Sequence, residues 1–256
     1  MARSSSRLLN NVVVRSVLSV WSWLVLGVTV AIWLPMVAVV RLCTPFDKGH
    51  YAAGLLWRKL AVTNQLLNPL WTFHTSGIEI DDPRRPYVVV ANHESFVDIL
   101  LISHLPWEMK WLAKDTFFRF PGVGWLMRMA GDVRIVRGER SSADLALEQC
   151  RDRLDNKVSV MIFPEGTRSR DGGLGLFKTG AFRLAIETGT PILPLAVHGT
   201  RGALRSGDWR FGVADAEVRV LEPIETAGMT MDDLGTLRDE VRSRIADELA
   251  QMSADD

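Results

Sequence analysis

The sequence predicts an α/β fold, with a mixed, largely parallel sheet flanked by helices and preceded by an N-terminal membrane-associated helical hairpin. Short apolar runs, Tyr87–Ala91 and Val158–Phe163 among them, have the length and β-branched content of buried strands and alternate with helical segments. Two long apolar stretches come before them, and the polar turn Asp81–Pro86 separates these from the first run. We therefore expect two parts: 1–74, which holds membrane-associated helices, and 75–256, which forms the α/β domain.

The N-terminal part contains a segment long enough to cross a bilayer as a helix. Ser16–Val40 carries no charged residue and lies between Arg15 and Arg41. Pro35 lies inside it, and Tyr51–Trp71 is again mainly apolar, so a bent or hairpin arrangement is an alternative to a simple span. A buried hairpin of a soluble protein and a cleaved signal peptide are further alternatives.

The rest of the chain alternates between predicted strands and helices. Further strands are predicted at Glu108–Ala113, Val133–Val136, Pro191–Val197 and Glu217–Leu221. Helices are predicted at Asp115–Met129 (helical or membrane-facing), Ser142–Leu154, Gly175–Thr188 and Met231–Met252. Alternation of this kind is typical of a sheet whose strands are mostly parallel.

Charge and cysteine content limit the class of protein. Thirty basic and thirty acidic residues balance, but residues 1–140 hold 16 basic against 10 acidic (+6) and residues 141–256 hold 14 against 20 (−6). A basic front half suits an anionic lipid surface or phosphorylated substrates, and there is no basic run typical of nucleic-acid binding. Cys43 and Cys150 have no partners at metal-ligand spacing, so we expect neither a disulfide framework nor a zinc site.

A histidine and an aspartate follow the first strand. Ser95 stands three residues before Asp98 and ahead of an apolar run, a capping pattern that places Asp98 in the first turn of a helix. His93 and Asp98 are five residues apart, so they can meet only where the chain bends, as at a strand-to-helix turn. A carboxylate that orients an imidazole makes it a general base. The alternative is a loop histidine beside a capping aspartate.

A second polar loop follows the strand that ends at Pro164. Within it, Gly166 lets the backbone approach a ligand, and Arg168 offers a planar, permanently charged fork that suits phosphate. Glu165 would be repelled by a phosphate, so we expect it to position Arg168 or to accept a hydrogen bond from a substrate hydroxyl. A turn with a surface ion pair is the alternative.

These loops carry a family resemblance. Asn-His-Glu-Ser-Phe-Val-Asp at 92–98 and Phe-Pro-Glu-Gly-Thr-Arg-Ser at 163–169 resemble the first and third motifs of the glycerolipid acyltransferases, and most closely those of the 1-acylglycerol-3-phosphate (lysophosphatidic acid) acyltransferases. Gly131–Arg137 resembles the second motif in part, because Val136 stands where an acidic residue is frequent. Pro191–Val197 resembles the fourth motif.

The resemblance implies roles for particular residues. His93 and Asp98 would be catalytic. The acceptor phosphate would be bound by Arg168, Arg137 and Lys114. Substrate positioning would fall to Glu165, Gly166 and Thr167. The other four histidines are interpreted as structural or surface residues. His198 would stand at a strand end, and there is no carboxylate at a telling distance from His50, His74 or His104.

The resemblance also implies a reaction. Residues 75–256 would be an acyltransferase catalytic domain that moves an acyl chain from acyl-CoA or acyl carrier protein to the sn-2 hydroxyl of 1-acyl-glycerol-3-phosphate, giving phosphatidic acid. No metal or bound cofactor would be needed, and membrane lipids would be partners. The protein would lie in the inner (cytoplasmic) membrane with this domain facing the cytoplasm. The alternatives are another lyso-lipid acceptor such as lyso-ornithine lipid, a membrane-bound lipid esterase, and a non-catalytic lipid-binding protein.

Overall fold

The N-terminal apolar stretches form a helical hairpin. A computed structural model describes residues 11–169, 173–205 and 207–255. Helix α1 covers Val12–Cys43 and α2 covers Tyr51–Leu66, and the chain reverses between them. The two helices pack through an apolar cluster, and the Asn64 amide donates a hydrogen bond to the Thr29 hydroxyl at 2.9 Å. Pro35 lies within α1, which continues past it, so the reversal occurs in the loop after Cys43.

The outer side of α1 is apolar and exposed. Only 17% of its most apolar 18 residues are buried, and by length and composition α1 could cross a membrane. Its exposed apolar side chains include Val20, Trp21, Leu24, Val28 and Ile32. The predicted hairpin is therefore present, with a large apolar surface on its outer side.

The described strands form one seven-stranded sheet. They are β1 (Trp71–Gly77), β2 (Val88–Ala91), β3 (Met109–Lys114), β4 (Val133–Ile135), β5 (Ser159–Ile162), β6 (Ile192–His198) and β7 (Ala214–Val220). Their order across the sheet is β1-β7-β6-β2-β5-β3-β4, and neighbouring strands are parallel except for the antiparallel pair β6 and β7. This confirms the predicted mixed, largely parallel sheet.

Helices connect and cover the strands. They are α3 (Asp98–Ile102), α4 (Asp115–Phe118), α5 (Val123–Ala130), α6 (Arg140–Asp155), α7 (Gly180–Thr188) and α8 (Leu234–Asp255), with short 3₁₀ helices at Thr200–Gly202 and Met231–Asp233. Alternate residues of β2 enter two cores: Val88 and Val90 face α6, α7 and α8, whereas Val89 and Ala91 face the side of α3. Burial of both faces explains why the strand is a continuous apolar run.

The structure corrects several predicted elements. The region predicted as Asp115–Met129 is two helices, α4 and α5, because Pro121 has no N–H to donate and Gly122 has φ 75° between them. Helix α7 begins at Gly180 rather than Gly175, because the preceding residues hydrogen bond to the loop after β5.

Strand β1 was not predicted. It includes residues 74 and 75, between which the sequence predicts the boundary of the two parts. The division into two parts stays a prediction. Its residues are mostly polar and exposed, as expected for a strand at the edge of a sheet.

Candidate active site

The candidate site lies at the carboxyl end of the central strand β2. Parallel neighbours β5 and β6 end at the same edge, so the loops that follow these three strands meet there. Asn92 continues the pairing beyond β2 through its side chain, which donates to the Val197 carbonyl at 2.7 Å and accepts from the Val197 N–H at 2.8 Å. This double contact fixes the position at which His93 leaves the sheet.

The structure brings His93 and Asp98 together. His93 Nδ1 and Asp98 Oδ2 are 2.7 Å apart, and the Asp98 side chain is fully buried. As predicted, the chain bends between β2 and α3, and Asp98 occupies the first turn of that helix. A carboxylate only accepts hydrogen bonds, so Nδ1 carries the proton and Nε2 is the nitrogen that can take another.

Asp98 is held by further donors. Its Oδ2 accepts the main-chain N–H of Glu94 at 2.8 Å and of Ser95 at 3.0 Å. Its Oδ1 accepts the hydroxyl of Thr200, in the 3₁₀ helix after β6. The helix itself begins at Asp98, with Val97 at its N-cap position and no side-chain cap there, so the predicted Ser95 cap is not formed. Ser95 instead supplies a main-chain N–H that helps to aim Asp98 at His93.

The imidazole of His93 is also fixed by its surroundings. It stacks on Phe163, with ring centroids 3.9 Å apart and planes 17° from parallel. Its main-chain N–H donates to Glu165 Oε1 at 2.8 Å, and its carbonyl accepts the N–H of Ser169 at 2.8 Å. The loops after β2 and β5 thus hold each other, and they present an oriented imidazole that can accept a proton.

Glu165 joins two loops. Besides its bond to His93, its Oε2 accepts the N–H of Gly175 at 2.9 Å, and burial raises the pKa of this carboxyl. Gly166 has φ 72°, and a Cβ atom at this position would lie only 2.7 Å from the Lys178 ammonium nitrogen. The sequence did not indicate these links, and the substrate-positioning role of Glu165, Gly166 and Thr167 stays a prediction.

His93 opens onto a cavity of about 1410 Å³. Three predicted phosphate ligands, Arg168, Arg137 and Lys114, also line it, and so does Thr167. The loops after β5 and β4 supply Arg168 and Arg137, and the last residue of β3 is Lys114, so the three cations lie on one side of His93. Their roles stay a prediction, but the structure places all of them at the cavity that His93 lines.

The cavity continues as an apolar space toward the hairpin. Its wall includes Trp23 and Leu26 from α1 and Trp57 and Leu60 from α2. Phe117 of α4 also lines it. A space that is charged at one end and apolar along its length can take an amphipathic molecule. The hairpin is therefore part of the site as well as an apolar surface.

The residues that follow β6 also belong to the site and were not predicted from the sequence. Thr200 touches Asp98, and Arg201 and Arg205 line the cavity. Glu94 is close by, and burial, followed by the charge of Asp98, raises the pKa of its carboxyl. Their position in the chain was the one available indication, because they follow β6, and His93 follows the neighbouring parallel strand β2. Among the described residues, no group of three or more His, Cys, Asp or Glu side chains could hold a metal ion.

Comparisons with known proteins agree with this architecture. The family model for acyltransferases matches residues 72–198. The chloroplastic 1-acyl-sn-glycerol-3-phosphate acyltransferase BAT2 of Brassica napus is 33% identical over 80% of this chain and 58% of its own length. The 1-acyl-sn-glycerol-3-phosphate acyltransferase of Saccharomyces cerevisiae is 32% identical over 82% of this chain and 70% of its own.

A solved structure gives the same result. The crystal structure of the 1-acyl-sn-glycerophosphate (LPA) acyltransferase PlsC from Thermotoga maritima superposes with a TM-score of 0.76 and 26% identity, covering 94% of this chain and 96% of that one. The chain spans less than two thirds of the length of its plant and algal relatives. Sequence and fold together show that the chain belongs to the 1-acyl-sn-glycerol-3-phosphate acyltransferase family of glycerolipid acyltransferases.

Proposed function

We propose that this protein transfers an acyl chain from acyl-CoA or acyl carrier protein to the sn-2 hydroxyl of 1-acyl-glycerol-3-phosphate, giving phosphatidic acid. The observation that carries the proposal is the pair His93 and Asp98, 2.7 Å apart, at a cavity that Arg168 also lines. The relatives are named for this class of acceptor, which supports the proposal. The donor is a co-substrate, and the mechanism needs no metal or bound cofactor.

General base catalysis by His93 is the proposed chemistry. Nε2 removes the hydroxyl proton as the acceptor oxygen attacks the thioester carbonyl, and Asp98 stabilises the imidazolium. The tetrahedral intermediate then collapses, the carbon–sulfur bond breaks, and the leaving thiolate takes the proton from His93. No acyl-enzyme forms. The base contributes about 10²- to 10⁴-fold to the rate, and the rest comes from positioning and charge stabilisation.

Arg168, Arg137 and Lys114 are the proposed ligands of the acceptor phosphate. They line the cavity at the carboxyl ends of β5, β3 and β4. A phosphate held there would leave the glycerol hydroxyl free to point at His93. The acyl chain of the acceptor would occupy the apolar part of the cavity, beside Trp57 and Leu60.

The hairpin supports the proposed membrane location. The exposed apolar side of α1 would contact lipid, at the inner membrane, with the catalytic domain on the cytoplasmic side, where soluble acyl donors are found. Flotation of the purified protein with liposomes tests the lipid contact. Protein that stays in the dense, lipid-free fractions would contradict it.

A substrate panel tests the reaction itself. The purified protein in detergent is given labelled 1-acyl-glycerol-3-phosphate, a lysophospholipid with an alkylated phosphate, or lyso-ornithine lipid, each with acyl-CoA and with acyl carrier protein. We expect phosphatidic acid as the main labelled product. Faster acylation of lyso-ornithine lipid would reassign the acceptor, and release of free fatty acid without an acceptor would make the protein an esterase.

A further inference from the structure

The cations at the cavity lie on two sides of His93. Because β2 is central in the sheet, the loops after β5, β3 and β4 lie to one side of it and the loop after β6 lies to the other. The first side carries the proposed acceptor site. The second carries Arg201 and Arg205, both exposed and both lining the cavity. We infer that Arg201 and Arg205 bind the phosphate of the donor's phosphopantetheine arm, an inference that rests on the proposed function.

The 3₁₀ helix Thr200–Gly202 is fastened to the catalytic pair. Thr200 donates its hydroxyl to Asp98, and the main-chain N–H of Arg201 donates to the Glu94 carboxylate. Arg201 is therefore the next residue after a direct contact of Asp98. Arg201 and His93 line the same cavity, so a phosphate held by Arg201 would let the pantetheine arm run through that cavity toward His93.

Main-chain contacts on either side hold the segment that carries Arg205. The Gly212 N–H donates to the Ala203 carbonyl at 2.9 Å, and a Cβ atom on Gly212 would overlap the Gly202 carbonyl. The Phe211 N–H donates to the Ser19 hydroxyl of α1 at 2.9 Å. Both ends of the segment are thus tied together, and one of them is tied to the hairpin.

The charge of the two substrates favours this arrangement. Both carry phosphate, and both must reach His93 at once, so two anions placed on one set of cations would repel each other. The acceptor is a lipid that enters along the apolar hairpin. The donor is water-soluble apart from its acyl chain, and Arg201 and Arg205 are exposed to water. An arginine fork matches phosphate better than any other side chain does.

Kinetics with a series of donors tests the inference. Arg205→Ala and the double variant Arg201→Ala/Arg205→Ala are assayed with acyl-CoA, acyl-phosphopantetheine, acyl carrier protein and acyl-pantetheine, which lacks phosphate. We expect KM to rise about 10- to 100-fold for the three phosphorylated donors and to stay unchanged for acyl-pantetheine and for 1-acyl-glycerol-3-phosphate. Arg205→Lys should recover part of the loss, because it keeps the charge.

Arg210 provides a matched control in the same loop. It pairs with Asp208 at 3.0 Å and is not among the described residues that line the cavity. Arg210→Ala should leave the donor KM unchanged. A donor KM that Arg205→Ala does not change, or a rise for acyl-pantetheine as well, would overturn the inference. A rise in KM for acyl-CoA alone would assign these arginines to the nucleotide and would also overturn the inference. A rise in the acceptor KM alone would overturn it as well.

Binding of CoA separates this inference from the proposed function. Calorimetry on the wild type and the double variant measures the dissociation constants of CoA and of 4′-phosphopantetheine without any reaction. Suppose that the wild type makes no phosphatidic acid and that the double variant binds both CoA and 4′-phosphopantetheine about 10-fold or more weakly than the wild type does. That result would contradict the proposed function and support the inference. A wild type that makes phosphatidic acid, with equal CoA affinity in both proteins, would overturn the inference alone.

Discussion

At the scale of single residues, Asp98 organises the site. In the described part of the chain its carboxylate accepts four hydrogen bonds, from His93, Glu94, Ser95 and Thr200, and its side chain is fully buried. A buried carboxylate is costly unless its lone pairs are satisfied, so each donor supports the ionised form that His93 needs. Thr200 is the donor furthest from Asp98 along the chain.

Thr200→Val should weaken catalysis because it removes one donor to Asp98 while nearly keeping the shape of the side chain. We expect kcat to fall about 10-fold, which corresponds to about 1.4 kcal/mol of lost transition-state stabilisation, with a small loss of melting temperature. The control is Thr226→Val, since the Thr226 hydroxyl is equally buried but bonds to the carbonyls of Ala185 and Thr190. It should lower stability and leave kcat unchanged. Equal kcat values for the two variants would contradict the role of Thr200.

At the scale of elements, helix α2 contacts the sheet through a buried ion pair. Lys110 and Glu108 are fully or almost fully buried, with Lys110 Nζ 2.8 Å from Glu108 Oε1 and 2.8 Å from the His50 carbonyl. Gly54 of α2 passes directly over the pair, and a Cβ atom there would overlap both side chains. Glycine is therefore required at this position so that the hairpin can dock.

Gly54→Ala should destabilise the protein. The added methyl group would displace a buried ion pair, at a cost of about 1–3 kcal/mol, or about 2–12 °C in melting temperature for a chain of this size. Gly27→Ala in α1 is the control, because no atom lies within 4 Å of its Cβ position, and alanine favours a helix more than glycine does. Thermal unfolding in detergent measures both. A melting temperature for Gly54→Ala at or above that of Gly27→Ala would contradict the docking contact.

The sequence predicts elements better than it predicts contacts between them. β2 and β5 are recognisable because both of their faces are buried, which makes the strands apolar throughout. β1 was not predicted because its residues are mostly polar and exposed and do not form an apolar run. His93 and Asp98 lie five residues apart, so a local bend explains their meeting. Thr200 lies 102 residues from Asp98, and only the strand order brings them together.

At the scale of the whole molecule, the cavity lies between the hairpin and the sheet, and Asp132 stands at its wall. Asp132 is buried, and its Oδ1 accepts the N–H of Trp111 at 3.0 Å. Burial raises the pKa of Asp132 to about 7 from an ordinary value of 3.8. The folded protein therefore holds this proton at a pH where the unfolded chain has released it.

Asp132 should make the protein less stable as the pH rises. Between pH 3.8 and about 7 the folded state binds more protons than the unfolded state, so stability falls with pH, by at most about 1.4 kcal/mol per pH unit from this group. Asp132→Asn removes the titration, so the melting temperature of the variant relative to that of the wild type should rise between pH 5 and about pH 7 and level off above it. Asp144→Asn, at an exposed position, should follow the wild type. A difference in melting temperature that stays constant with pH would contradict the raised pKa.

The central claim is that His93, held by Asp98, is the general base. The rate of phosphatidic acid formation by His93→Ala tests it most directly, with the melting temperature measured on the same sample. We expect kcat to fall about 10²- to 10⁴-fold, with the acceptor KM and the melting temperature close to those of the wild type. A folded His93→Ala protein that forms phosphatidic acid at the wild-type rate would contradict it.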